Sequence, residues 1–224
     1  MEDYLSEKER WEWVKGQVRS SGPWVIVAIV LVFGGGAGWR WWQERQDASR
    51  LQANARLMQM LQSLEHGDRT QALSLLGQLE HDDPDSPYTD QAKLIAARVY
   101  VDTGELDKAA TELDAVAQRS RDHELALIAR QRLARVQVAQ GKPDAALETL
   151  KGTDGGSFVA RYHEVRGDAY YAKGDKAAAL SEYRSAQGAG RDESNSVLAL
   201  KIADLAGDTP ANAKNAAAAA LPAK

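Results

Sequence analysis

The stretch HEVRGDAYYAKGDKAAALSEYRSA, residues 163–186, has the pattern of two helices joined at a glycine. An apolar helix end leads into Gly174, charged residues follow, and an alanine-rich segment begins. Glycine readily adopts the left-handed backbone conformation that ends many helices, so Gly174 predicts a tight turn. The stretch therefore predicts a helical hairpin.

The same pattern recurs along the chain around a series of glycines. These are Gly67, Gly104, Gly141, Gly174 and Gly207. Their spacings of 37, 37, 33 and 33 residues lie close to the period of a tetratricopeptide unit, and a sustained period of this size is typical of stacked helical hairpins. The predicted fold class is an all-α, tetratricopeptide-like solenoid.

Small and large residues follow the glycines in register. Five residues after the first four glycines stand alanines, and nine residues after them stand large residues: Ala72, Ala109, Ala146 and Ala179, then Leu76, Leu113, Leu150 and Tyr183. The alanine lets the second helix approach closely, and the large residue fills the space between the helices. In residues 163–186, Gly167 also takes a close-contact position, with Ala169 and Tyr170 beyond it. The pattern gives three firm units, with marginal ones around Gly67 and Gly207.

The segment from Ser20 to Trp39 contains no charged residue and includes ten consecutive apolar residues, Trp24 to Phe33. Twenty helical residues span about 30 Å, the thickness of a bilayer's hydrocarbon core. Trp24 and a tryptophan cluster after Gly38 mark the ends, where indole rings favour the headgroup layer. We therefore predict one transmembrane helix, residues 23–42. A cleaved signal peptide or a buried core helix fits less well, because acidic residues precede the run and no polar face exists.

Residues 1–22 are predicted to form a tail with a short amphipathic helix. Ser6 and Glu9 have the spacing of a capping box, and Trp11, Val14 and Val18 form an apolar line, as in interfacial helices. Within the membrane segment, a pair of small residues four apart would let another membrane helix approach closely. That pair is Gly34 and Gly38. Basic residues flank the segment equally on both sides, so charge alone does not orient it.

The rest of the chain divides at its composition changes. Residues 43–210 form the predicted repeat domain, which opens with a helix over residues 43–66. That helix carries apolar residues on helical spacing: Leu51, Ala55, Met58, Leu61 and Leu64. Pro84 and Pro87 mark a loop. The alanine-rich tail, residues 211–224, has little apolar surface with which to dock, so we expect it to be flexible.

Composition and spacing disfavour several functions. The net charge is −4, so nucleic acid is a disfavoured partner. The chain has no cysteine, which excludes disulfides and thiol catalysis. Its four histidines occupy unrelated repeat positions, and the GGGAG run at residues 34–38 lacks the strand that a phosphate-binding loop needs. We therefore expect no enzyme activity, no cofactor and no metal site.

The remaining candidate is a binding surface. In a tetratricopeptide array the concave face is lined by the first helix of each hairpin, and repeat offsets place twelve residues there. They are Gln91, Leu94, Arg98, Val101, Ile128, Gln131, Arg135, Val138, Arg161, Glu164, Asp168 and Tyr171. Arg98 and Arg135 stand at equivalent positions, an arrangement that suits an extended or acidic segment of a partner. The alternative is that they are ordinary solvated arginines.

Four stretches resemble YfgM-type ancillary subunits of the bacterial SecYEG translocon. They are GWRWW at residues 38–42, ARVYVDTGELDKAATEL at 97–113, RLARVQVAQGKPDAALETL at 132–150 and VRGDAYYAKGDKAAALSEY at 165–183. RLARVQ followed by DAALETL is the most specific. The alanine-rich tail after Gly207 has no counterpart in this resemblance.

The resemblance implies a single-pass protein of the bacterial inner membrane, with a cytoplasmic N-terminus and a periplasmic domain. It also implies as partners the SecYEG channel, a PpiD-type periplasmic chaperone and exported client proteins. The expected function is non-catalytic help in passing exported proteins to periplasmic chaperones. The alternative is a membrane-anchored tetratricopeptide scaffold that serves envelope assembly or cell division without contact to the translocon.

Overall fold

The computed structural model describes residues 49–153, 155–190 and 196–207, together with isolated residues nearer the start. Those are Trp11, Trp39, Arg40, Trp41, Gln43 and Arg45. Most of the predicted N-terminal tail, most of the predicted membrane helix with Gly34 and Gly38, and the tail at 211–224 therefore lie outside the described residues. No helix within the described ranges has both the length and the apolar content that a bilayer crossing requires.

The chain divides into two compact units, residues 1–52 and residues 53–224. In the first unit, the described residues around Trp41 are helical, and the Arg45 guanidinium lies 5.4 Å from the centre of the Trp41 ring. That distance is within reach of a cation–π contact. The second unit carries the repeats and is described below by itself.

The regular elements in the described part of the second unit are helices. They are α1 (residues 53–65), α2 (Arg69–Asp82), α3 (Pro87–Asp102), α4 (Leu106–Arg119), α5 (His123–Ala139), α6 (Pro143–Thr149), a 3₁₀ turn (Gly156–Phe158), α7 (Val159–Ala172), α8 (Lys176–Ala189) and α9 (Ser196–Gly207). The helices form four consecutive hairpins from α1/α2 to α7/α8, followed by α9. The predicted tetratricopeptide-like solenoid is confirmed, and the marginal unit around Gly67 is a true hairpin.

The predicted turn glycines have the expected backbone. Their φ angles, in chain order for Gly67, Gly104, Gly141 and Gly174, are 78°, 78°, 72° and 83°. At Gly174 the backbone N–H of Asp175 donates to the Tyr170 carbonyl at 3.0 Å, which is the hydrogen bond of a Schellman helix end. No atom lies within 4 Å of a Cβ built on any of these four glycines. Left-handed backbone, and not lack of space, is therefore what favours glycine there.

The packing positions that the sequence predicted are buried. All four repeat alanines are fully inaccessible, and the four large residues are at most 4% exposed. The close contact at Gly167 is also confirmed, because a Cβ there would lie 2.4 Å from Cε1 of Tyr183. Close approach of α7 and α8 thus depends on this glycine.

The first helix departs from the expected pattern. Of the five apolar residues on helical spacing, Met58 and Leu61 in α1 are exposed, at 53% and 36%, and Leu51, which belongs to the first unit, is 71% exposed. The fully buried residues that pack against α2 and α3 are Ala53, Leu57 and Met60, and the predicted Leu64 packs partly buried against the same cluster. This helix has two overlapping apolar stripes. Contacts with neighbouring helices determine which stripe is buried, and the sequence pattern alone does not reveal those contacts.

The third hairpin is also irregular. Its second helix, α6, has only 7 residues, and a loop with the 3₁₀ turn leads from it to α7. Tyr162 anchors this region, since its hydroxyl donates to the buried Leu127 carbonyl at 3.0 Å. Two backbone carbonyls of the loop, at Leu150 and Thr153, accept hydrogen bonds from Arg166. These bonds keep α5 and α7 adjacent although α6 is short.

Candidate partner-binding face

The first helices of the four hairpins, α1, α3, α5 and α7, lie side by side, and α9 follows them in the same row. Leu57 and Met60 of α1 share an apolar cluster with Ala92 and Ala96 of α3. Helix α3 contacts α5, and α5 contacts α7. Lys201 of α9 reaches carboxylates on α7. We call the surface that these helices share the first-helix face, and in solenoids such a surface is the usual place for partners.

Two of the predicted binding residues lie beneath this face. Leu94 is 6% exposed and packs with Ala97 and Leu113 in the apolar interior. Gln131 is 5% exposed. The amide nitrogen of Gln131 is buried and has no hydrogen-bond partner within the described part of the chain. The repeat offsets predicted both residues on the surface, whereas the structure buries them beneath it.

Other predicted residues are accessible on the first-helix face. The Arg98 side chain is 83% exposed and that of Arg135 is 54% exposed. Val101 and Tyr171 are exposed apolar residues, at 41% and 49%. Gln91 and Arg161 are also exposed, whereas Ile128 and Val138 are half-buried. The accessible members of the predicted set are thus a mixture of apolar and cationic side chains, and their role in partner binding stays a prediction.

Four arginines come together near the middle of this face. Arg98 on α3 and Arg135 on α5 each lie 3.9 Å from a carboxylate, Asp102 and Glu164 respectively. Partial burial lowers the pKa of a further arginine, Arg132, and three neighbouring guanidinium groups lower it further. Those groups belong to Arg161, Arg98 and Arg135.

Arg132 was missed by the sequence reasoning. It stands three residues before Arg135 on α5, one helical turn away on the same side, so that spacing was the signal for it. Neither Arg132 nor Arg161 forms an ion pair with any residue that the structure describes. The middle of the face therefore has more guanidinium groups than carboxylates.

The carboxylates at the α7 end of the face already have partners within the domain. Asp168 accepts a hydrogen bond from the Tyr183 hydroxyl at 2.7 Å and another from the Lys201 ammonium at 2.6 Å. The same ammonium lies 3.0 Å from a Glu164 carboxylate oxygen and 5.3 Å from the centre of the Tyr183 ring. Burial and the Asp168 carboxylate raise the pKa of Tyr183 well above its ordinary value, so the hydroxyl remains a donor. Asp168 therefore joins α7, α8 and α9 internally.

The described residues show no grouping suited to metal binding, since nowhere do three or more His, Cys, Asp or Glu side chains come together. Nδ1 of His163 lies 2.7 Å from a carboxylate oxygen of Glu182 on α8, which accounts for that histidine as an inter-helix contact. His123 lines a cavity of about 450 Å³ with Arg130 and Thr153 at the start of α5. Arg130 donates there to the Thr153 hydroxyl at 3.2 Å. These contacts join helices and loops.

Comparison with known proteins agrees with the hairpin array. The family described as a tetratricopeptide repeat-like domain matches residues 18–207 of the chain. Repeat proteins of this class present a surface of stacked helices to their partners. The first-helix face is the candidate for such a surface in this chain.

Known relatives place the chain in a particular family of tetratricopeptide-like proteins. Proteins named ancillary SecYEG translocon subunit in Haemophilus influenzae and Escherichia coli are 29% and 31% identical to this chain. The first alignment covers 90% of this chain and 98% of the relative, and the second covers 83% and 89%. A third protein of that name, from Neisseria gonorrhoeae, is 27% identical over 83% of this chain and 90% of the relative. The chain belongs to the family of ancillary SecYEG translocon subunits.

Proposed function

We propose that this protein is a non-catalytic ancillary subunit of the SecYEG translocon in the bacterial inner membrane. In this role it binds the channel and a PpiD-type periplasmic chaperone, and it helps exported client proteins pass from the one to the other. The observation that carries the proposal is identity of about 30% over nearly the whole chain to relatives that bear this name. The exposed first-helix face supports it, because a subunit without chemistry of its own works through binding surfaces.

The proposal includes a single membrane crossing by residues 23–42, with the N-terminus in the cytoplasm and the repeat domain in the periplasm. The uncharged run from Ser20 to Trp39 supports the crossing. Gly34 and Gly38 are proposed to contact a neighbouring membrane helix, for which their spacing is suited. The repeat domain would then stand beside the periplasmic exit of the channel.

Co-purification tests the channel association. The full-length chain is tagged, expressed at native level and extracted in mild detergent, and its partners are identified by mass spectrometry. A photocrosslinker at exposed Tyr171 should join the chain to a translocon component or the chaperone, whereas one at Lys151, which follows α6, should not. Recovery of envelope-assembly or division proteins without SecYEG would favour an unrelated membrane-anchored scaffold and overturn the proposal.

Protease accessibility tests the topology. Protease added to spheroplasts should digest the repeat domain while the inner membrane is intact. A domain that stays protected until that membrane is broken would contradict the periplasmic placement, and with it the transfer of exported proteins.

A further inference from the structure

The first-helix face carries more positive than negative charge near its middle, and this excess takes no part in the packing of the domain. Arg132 and Arg161 have no ion-pair partner in the described part of the chain, and Arg98 and Arg135 make contacts of 3.9 Å, too long for strong hydrogen bonds. We name these four residues the arginine cluster. They lie on a chain whose net charge is −4, so the local excess of positive charge runs against the overall balance.

The cluster joins three repeats. Arg98 belongs to α3, Arg132 and Arg135 to α5, and Arg161 to α7. Since α3 contacts α5 and α5 contacts α7, the guanidinium groups form a band across neighbouring helices. A band of this kind suits an extended chain that crosses several hairpins, because each repeat then supplies one or two contacts.

A second observation points to the same place. Gln131, one turn before Arg135 on the same side of α5, has a buried amide nitrogen without an acceptor in the described part of the structure. A buried donor without an acceptor is costly, and native proteins rarely leave one. A carboxylate brought to the cluster would supply acceptor oxygens to the guanidinium groups and, after a side-chain rotation, to this amide.

Apolar residues border the cluster. Val101 lies one turn after Arg98 on α3 and is 41% exposed, and Leu61 holds the equivalent position to Arg98 on α1 and is 36% exposed. On the other side, Glu164 and Asp168 are paired with Lys201. A ligand that combines apolar groups with a short run of negative charge matches this sequence of apolar, cationic and acidic residues. A long polyanion would extend onto the carboxylates and be repelled by them.

We propose that the arginine cluster binds an extended acidic segment of a partner polypeptide, with an apolar side chain of that segment against Val101. A carboxylate can accept two parallel hydrogen bonds from a planar guanidinium group, and for this reason we infer a carboxylate ligand over other polar groups. The inference builds on the proposed function, in which the first-helix face receives a partner. It adds the chemistry that the partner must have.

The test is a fluorescence anisotropy titration of the full-length chain in mild detergent. The probe is a labelled synthetic peptide in which leucines precede a run of glutamates, and the reference peptide has glutamine in place of glutamate. We expect the glutamate peptide to bind and the glutamine peptide not to bind. Binding should weaken as salt rises from low to physiological concentration, because exposed charge pairs are screened.

Matched variants assign the binding to the cluster. Arg132→Gln with Arg161→Gln should weaken peptide binding about tenfold, since two charged contacts are lost. Arg121→Gln with Lys151→Gln removes the same charge outside the first helices and should leave binding unchanged. Equal affinity in the cluster variant and the wild type would overturn the proposal, provided that circular dichroism shows both folded.

Other anions serve as opposing outcomes. If a single-stranded oligonucleotide or micelles containing phosphatidylglycerol bind at the cluster and the glutamate peptide does not, the acidic-polypeptide assignment is wrong. Co-purification of SecYEG with the same protein separates the acidic-segment proposal from the proposed function. Recovery of SecYEG without peptide binding overturns the acidic segment alone, whereas peptide binding without SecYEG recovery overturns the proposed function alone.

Discussion

The two ends of the first-helix face use the same repeat position differently. Arg98, Arg135 and Asp168 each stand six residues before a turn glycine. The arginines point into solvent with only long contacts to carboxylates, while Asp168 is held by Tyr183 and Lys201. Equivalent repeat positions are therefore not equally available to a partner, because contacts with neighbouring helices decide which side chains are already engaged. We call the part of the face around Arg98 and Arg135 the arginine half, and the part around Asp168, where α7 meets α8 and α9, the carboxylate half.

The carboxylate half depends on one close contact, and breaking it should have the largest effect on stability. Gly167→Ala puts a Cβ 2.4 Å from the Tyr183 ring, which must move and loosen its bond to Asp168. We expect a loss of about 1–3 kcal/mol in the free energy of unfolding, measured by denaturant titration followed by circular dichroism.

Gly77→Ala is the matched control for that change. Gly77 also lies within a helix, α2, but nothing stands within 4 Å of a Cβ built there. Alanine should stabilise α2 by about 0.5–1 kcal/mol, since glycine costs about that much in a helix interior. Equal effects at both glycines would show that close packing at Gly167 is not what requires glycine.

A smaller effect should separate the ion pairs of the two halves. Lys201→Gln removes the ammonium that Glu164 and Asp168, both largely buried, share. Glu164 keeps only its 3.9 Å contact with Arg135, so we expect a loss of about 1 kcal/mol in unfolding free energy. Arg98→Gln should change stability by less than about 0.5 kcal/mol, because an 83% exposed arginine contributes little. Similar losses in both variants would contradict the distinction between a structural and an available charge.

The repeat period was enough to predict the helical hairpins and their packing positions. Glycine at the turn, alanine five residues later and a large residue nine residues later have strict steric roles, so they leave a readable pattern. The same period could not show that Leu94 and Gln131 are buried, because one helical position differs from the next by a rotation that packing adjusts. The period does place Lys201 and Asp168 at equivalent positions, 33 residues apart, but it could not show that α9 packs close enough to α7 for the two side chains to form an ion pair.

The smallest expected effect on stability concerns Glu105, at the turn between α3 and α4 in the arginine half. Hydrogen bonds from Lys108, Arg69 and Thr103 lower the pKa of the Glu105 carboxyl to about 2. Because this pKa is below that of the unfolded chain, near 4.5, the carboxylate stabilises the fold above that pH and the contribution is lost as pH falls towards 2. Asp175, at the equivalent turn of the carboxylate half, instead caps α8 by accepting from the Ala178 N–H.

Melting curves of the wild type and Glu105→Gln at several pH values measure this contribution. The wild type should melt slightly higher at neutral pH, and the difference should shrink on acidification. A difference that stays constant from pH 7 to about 2 would show that the Glu105 charge does not contribute to stability.

We propose that the first-helix face carries the association with the translocon. This proposal is tested most directly by the amount of SecYEG and PpiD-type chaperone that co-purifies with full-length chain carrying Arg98→Glu and Arg135→Glu. We predict roughly tenfold less recovery than with wild type, or about 1.4 kcal/mol of binding free energy, at unchanged melting temperature. Arg121→Glu with Lys151→Glu, outside the first helices, should recover wild-type amounts. Wild-type recovery with both arginines reversed would contradict the account and leave Gly34 and Gly38 as the remaining proposed contact.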